Sequence, residues 1–120
     1  MRYLCLGYID QQKWEVMLEG RQTAITEEIH AYDELLRQNG HYVGGETLVS
    51  SRHAKTITTR NNKVSIVDGP FAETKEQVGG VIVIEATSQE HAVELMSKHP
   101  SVRIGASWEI RPITELKLQC

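Results

Sequence analysis

Asp68 and His99 are the pair of side chains in this sequence to test first for proton transfer. A carboxylate beside a neutral imidazole orients the ring and stabilises its charged form, as general acid and base work near neutrality requires. The types around Asp68 are also suggestive. Asp68-Gly69-Pro70-Phe71-Ala72-Glu73-Thr74-Lys75-Glu76 sets the only phenylalanine among turn formers and charges. Gly69 precedes a proline, which drives it out of the right-handed helical region, and without a Cβ it reaches conformations closed to other residues. Pro70 fixes φ and offers no backbone donor, and the Asp68 carboxylate is suited to bond the amides just ahead of it. Glu73, Thr74, Lys75 and Glu76 would then line a polar pocket in a firmly held loop, with Lys75 holding an anionic group. Phe71 reads as a hydrophobic anchor for the loop or as a stacking platform. Tyr8, like Tyr3 and Tyr32, can present a hydroxyl to a cleft between sheet and helices. Arg111 can recognise an anion or pair with Glu109. The plain structural alternatives are a turn-capping Asp68, a helix-terminal His99 and solvated motif charges.

Other chemistries find little support. His30, His41, His53, His91 and His99 show none of the short spacings that build a metal site from one helix or strand. Phosphate loops, nucleophile elbows and dinucleotide fingerprints are missing, so neither metal nor cofactor is expected. Cys5 falls inside a strand candidate and reads as core, and Cys120 as a loose thiol. A formal charge of -3 argues against general nucleic-acid binding. The stretch from Thr47 to Val67 differs locally: it has no acidic residue, and carries Arg52, Lys55, Arg60 and Lys63. A solvated hairpin whose charges protect its edge explains it most simply, and a docking surface for an acidic ligand or partner is the sharper reading. No apolar run approaches the ~20 residues of a membrane span, and the first residues lack the pattern of a secretory signal. A cytoplasmic protein of one domain, residues 1–120, is expected.

The elements that must position these residues follow from periodicity. Tyr3 to Ile9 reads as a strand, and Trp14 to Glu19 as a short helical turn. Ile25, Ile29, Tyr32 and Leu36 recur at helical spacing between Ala24 and Gln38, and Asn39-Gly40 supplies a stop. His41 to Ser50 reads as a second strand with a bulge or close approach at Gly44-Gly45. Lys55 to Thr59 and Lys63 to Val67 flank Asn61-Asn62, whose tolerance of positive φ suits a tight hairpin. Val78 to Glu85 forms the most apolar strand, with a bulge expected at Gly79-Gly80. Thr87 to Glu90 fits a capping box for a helix with Ala92, Leu95 and Met96 on its apolar stripe, ending before Pro100. Trp108 to Ile113 is the last strand. Trp14 and Trp108 read as packing or interface anchors.

This order fits an α+β fold, an antiparallel sheet with two helices on one face and an extra β-hairpin. Leu4 and Leu6 face opposite to Tyr3 and Cys5, and Val81 and Val83 opposite to Ile82 and Ile84, so both sheet faces want burial. Two helices cover one face, and a second copy most simply covers the other as a homodimer.

Asp68 to Glu76, continued by Gln77-Val78-Gly79-Gly80, resembles the signature of the DGPF subgroup of YCII-related proteins. Met1-Arg2-Tyr3-Leu4 is similar to the opening strand of that family, and His99-Pro100 with Glu109-Ile110-Arg111-Pro112 to its closing segment. The resemblance implies a ferredoxin-like fold and a dimeric α+β barrel. It also implies a proposed His and Asp site, although this subgroup departs from the usual position of that histidine. Two functions are compatible with it. One is a small-molecule enzyme binding a polar or anionic substrate and using Asp68 and His99. The other is a noncatalytic ligand-binding or regulatory module linked to sigma-factor signalling.

Overall fold

In the computed structural model, which describes residues 1–114, the chain folds as α+β around a four-stranded antiparallel sheet. The strands are β1 (Arg2–Asp10), β2 (Tyr42–Thr47), β5 (Glu76–Glu85) and β6 (Ser107–Pro112), in the spatial order β2-β5-β1-β6. A separate two-stranded sheet is made by the hairpin β3 (Lys55–Arg60) and β4 (Lys63–Asp68). Helices α1 (Gln11–Glu15), α2 (Glu19–Gln38) and α3 (Gln89–Ser97) complete the described elements, with 3-10 turns at Ser51–His53 and Pro100–Ile104. None of these helices is long and apolar enough to cross a membrane. Cys120 lies outside the described residues.

One face of the sheet carries the core. Tyr3, Cys5, Ile82 and Ile84 close against Ala86, Ala92 and Met96, so α3 lays the apolar stripe read from its sequence directly on the central strands. Ile25 and Leu36 are the buried positions of α2, one helical face apart from its charged side. Tyr32 of that helix donates its hydroxyl hydrogen bond to the Leu95 carbonyl, joining α2 to α3. Burial pushes the Cys5 thiol up to about 12, which leaves it an inert core residue. The opposite face presents Leu4, Leu6, Val81 and Val83, all only half-buried. Leu4 stands opposite Val83 and Leu6 opposite Val81, so these four form one contiguous apolar strip.

Two glycine-bearing irregularities shape the sheet. Gly7 faces Gly80 while Tyr8 faces Val78, which leaves Gly79 as the extra residue of a bulge in β5. A second register shift separates Tyr42 from Gly44 in β2. The hairpin turns on Asn61 and Asn62, with φ of 51° and 63°, the pair of positive values a tight two-residue turn demands.

The capping box expected at Thr87 and Glu90 is displaced by one residue. Ser88 is the N-cap of α3 and accepts from the His91 amide, and the return bond is the Thr87 amide donating to His91 Nδ1 at 3.1 Å. An imidazole nitrogen here takes the acceptor role usually filled by Glu or Gln.

Candidate functional site

Where β1 ends and β5 begins, the chain builds a polar cleft of about 540 Å³. Its first wall is α1. Asp10 caps that helix, its Oδ1 accepting from the amides of Gln12 and Lys13 at 3.1 and 3.3 Å, and its Oδ2 lies 3.9 Å from Lys75 Nζ. Gln11 then reaches to the 3-10 turn, where its Oε1 accepts from both the amide and the hydroxyl of Ser51. Arg52 on that turn donates to Glu15 Oε1 at 3.1 Å. Thus α1 and the turn are clamped together as one side of the cleft.

The other wall is the loop from Asp68 to Lys75. Gly69 adopts a φ of +109°, which its missing Cβ permits, and its amide donates to the Ala54 carbonyl at 2.7 Å. Thr56 Oγ1 donates to the Gly69 carbonyl at 2.9 Å. Further along, Gln77 Nε2 donates to the carbonyls of Ala72 and Thr74 and to Thr74 Oγ1, while the Thr74 hydroxyl donates to the Glu76 carbonyl. Gln77 therefore staples the loop from below.

The turn is thus held by partners other than the expected ones. Asp68 does not cap it. Its side chain is exposed and its Oδ1 accepts from Lys55 Nζ at 2.6 Å across the base of the hairpin. Phe71 does not anchor it either: at 89% exposure it packs on nothing and lies outside the cleft lining. Glu73, Thr74 and Lys75 line the cleft together with Asp68, whereas Glu76 lines the smaller adjoining pocket instead. Asp10, Gln11, Glu15, Arg52 and Gln77 are among the other residues that line it. Sequence reasoning missed the role of Gln77. A glutamine at a strand start has no local signature, and only the curl of the preceding loop brings the acceptors within its reach.

Tyr8 and Arg111 belong to a different place. Both project with Glu109 from the sheet face opposite the core, where Tyr8 donates to Glu109 Oε1 at 3.0 Å and Arg111 Nε approaches Glu109 Oε2 at 4.0 Å. The hydrogen bond to Glu109 raises the Tyr8 pKa above its ordinary value.

His99 makes its contacts with residues other than Asp68. It is buried, at 3% exposure, as the N-cap of the 3-10 turn at Pro100–Ile104. Trp108 Nε1 donates to Ser101 Oγ at 3.0 Å, and the Ser101 amide donates to His99 Nδ1 at 3.3 Å. With Ser101 Oγ also 2.6 Å from Nδ1, that nitrogen is the acceptor and the ring proton sits on Nε2. The carboxylate facing Nε2 is that of Asp33, at 3.8 Å, beyond hydrogen-bonding reach. Burial lowers the His99 pKa to about 4 and raises that of Asp33. A His–Asp juxtaposition thus exists, but between α2 and the α3–β6 connection, where the ring contacts Tyr32, Ser101 and Trp108, none of which lines the cleft.

A smaller pocket of about 220 Å³ adjoins the cleft. Ile9, Trp14, Met17 and Ile104 make its apolar walls, and Asp10 and Lys75 line both spaces. In the cleft proper, the carboxylates of Asp10, Glu15, Asp68 and Glu73 outnumber the cations Arg52 and Lys75. Such a lining suits hydrogen-bond donors better than a lone anion.

Comparison with known proteins adds two findings. The YCII-related domain matches the chain over residues 1–117. An uncharacterised protein of Rhizobium meliloti (strain 1021) is 27% identical over 121 residues, covering 98% of this chain and 95% of that relative.

Proposed function

The chain belongs to the YCII-related family, and on that footing we propose that it is a small-molecule-binding protein of the DGPF subgroup, with its site in the cleft between α1 and the Asp68–Lys75 loop. The observation that carries this reading is the cleft itself. Its walls are fixed by backbone and side-chain hydrogen bonds, while the ends of Glu73, Lys75 and Asp68 remain exposed at its rim. A preorganised frame with polar tips open to solvent is the usual composition of a ligand site.

The favoured ligand is small and polar, carrying amine or hydroxyl donors for the carboxylates, with an acceptor for Lys75. Binding without turnover is favoured over acid and base catalysis. The imidazole that would accompany Asp68 is buried against Trp108 and Tyr32 instead. The strand order β2-β5-β1-β6, with helices linking β1 to β2 and β5 to β6, supports a ferredoxin-like arrangement. The apolar strip of Leu4, Leu6, Val81 and Val83 supports closure by a second copy into a dimeric α+β barrel.

Asp68→Asn tests the site. The Asp68–Lys55 pair is exposed on both sides, so this change shifts folding stability by less than about 0.5 kcal/mol. In a thermal-shift screen of amines, amino acids, sugars and organic anions, donor-rich compounds should raise the melting temperature of the parent chain, and Asp68→Asn should reduce that rise. A variant that loses stability outright, with no compound stabilising either protein, would return Asp68 to a structural role.

A further inference from the structure

The small pocket beside the cleft combines apolar walls with charged groups. Helix α1 parts the two spaces: Gln11 and Glu15, one turn apart, line the cleft, while Lys13 and Trp14 line the pocket. Ile9, Trp14, Met17 and Ile104 are each only half-buried by the fold, which leaves apolar surface there for something else to cover. The walls are held in place. A Cβ on Gly79 would stand 2.9 and 3.0 Å from two side-chain carbons of Ile9, so Ile9 lies directly on the extra residue of the β5 bulge. The Trp14 carbonyl accepts from the Met17 amide at 3.2 Å and from Gln22 Nε2, which ties this turn to α2. At about 220 Å³ the pocket exceeds the ~150 Å³ that admits benzene in an apolar cavity, and so has room for one ring or one branched alkyl group.

Charge indicates what that group is attached to. Asp10 and Glu76 balance Lys13 and Lys75 in the pocket lining, unlike the cleft, where carboxylates prevail. Asp10 and Lys75 belong to both linings. The Asp10 side chain is 13% exposed, and its Oδ1 is taken by the two cap bonds. Its Oδ2 lies 3.9 Å from Lys75 Nζ, beyond hydrogen-bonding reach. A carboxylate and an ammonium this close, yet not bonded, suit a ligand that carries both charges on one carbon atom. Lys75 is 78% exposed, so its amine can follow the ligand.

We propose that the pocket and the Asp10–Lys75 junction hold a free α-amino acid whose apolar side chain is about the size of one ring. The side chain lies against Ile9, Trp14, Met17 and Ile104, the ammonium donates to Asp10 Oδ2, and the carboxylate accepts from Lys75 Nζ. This rests on the cleft reading above and extends its ligand into the adjoining pocket.

Calorimetric titration of the full chain with L-phenylalanine, glycine and 3-phenylpropionate tests it. Phenylalanine should bind about tenfold or more tighter than glycine, the gain expected from burying one apolar side chain. It should exceed 3-phenylpropionate, which lacks the ammonium, by a similar factor. Asp10→Asn retains a helix cap of equal quality, and should weaken phenylalanine about tenfold with an unchanged circular dichroism spectrum. Phenylalanine should also alter the tryptophan emission of the parent chain, and Trp14→Phe should remove that change, because Trp108 lines neither space. Glycine or 3-phenylpropionate binding as tightly as phenylalanine overturns the inference and leaves the polar cleft standing. Phenylalanine binding that Asp10→Asn leaves unchanged and Trp14 does not sense overturns it as well. So does a lack of phenylalanine binding when other compounds of the thermal-shift screen bind. If no compound of that screen binds, the cleft reading fails with it.

Discussion

Gly7→Ala should destabilise the fold by about 2–3 kcal/mol, the range of an overpacked interior that also loses a buried hydrogen bond. Gly7 sits on β1 directly beneath the indole of Trp108, its cross-strand partner on β6. A Cβ there would stand 2.7–2.9 Å from three carbon atoms of that ring. The ring has nowhere inexpensive to go. Its Nε1 donates to Ser101 Oγ, and its ring centroid lies 4.9 Å from that of His99. Moving it unseats Ser101, and with Ser101 the acceptor geometry of His99 Nδ1. Urea denaturation of the variant, with tryptophan fluorescence as the probe, should show a lower midpoint at an unchanged slope. An unchanged midpoint would mean that the indole is free to shift and that the Trp108–Ser101–His99 chain is slack.

His99 should make folding stability fall as pH is lowered, by about 2 kcal/mol between pH 7 and pH 5. The sign follows from burial. The folded ring titrates at about 4 against an ordinary 6.5, so below 6.5 the unfolded chain binds a proton that the native chain refuses. Stability is intact above the unfolded value and is lost progressively as pH drops toward the folded one. The surroundings include few opposing charges. From α2, Tyr32 presents a ring edge and Asp33 a carboxylate at 3.8 Å; from the other side come Ser101 and Trp108. Asp33 is itself raised by burial, with His30 and Arg37 pulling the other way. It acts with opposite sign: a raised carboxylate pKa lets the native state take up a proton first, so acid recovers part of the loss at the lower end of the window. His99→Gln should flatten the slope between pH 7 and pH 5 whatever it does to absolute stability. Parallel stability curves for parent and variant would show that His99 is not the group responsible.

Most of the framework was legible in the chain, for physical reasons that can be named. The stripe Ile25, Ile29, Tyr32, Leu36 forced a helix, although α2 begins five residues earlier than the stripe implied, at Glu19. Polar first turns carry no periodicity. Asn61-Asn62 marked the hairpin because few other residues tolerate two successive positive φ values. The glycine pairs marked irregular register, and the shift falls at Gly79.

The site was legible only in part. Glu73, Thr74 and Lys75 line the cleft because they are neighbours on one loop, and proximity in sequence became proximity in space. Asp68 and His99 did not meet, because a shared chemistry says nothing about which of several carboxylates the fold brings to an imidazole. Asp33 reaches His99 through the docking of α2 on the turn after α3, a long-range contact without a sequence signal. Phe71 illustrates the same limit from the other side. Hydrophobicity argued for an anchor, yet the loop is closed by Gln77 and Thr56 and leaves the ring outside.

Binding of a small polar molecule in the cleft between α1 and the Asp68–Lys75 loop is a proposal that solution data can decide. Mapping amide chemical shifts in a heteronuclear NMR titration, with the amines, amino acids and sugars of the thermal-shift screen, tests it most directly. Saturable shifts should concentrate in residues 10–15, 50–52 and 68–77. Shifts confined to the face of Tyr8, Glu109 and Arg111, or no saturable shift with any of these compounds, would contradict it.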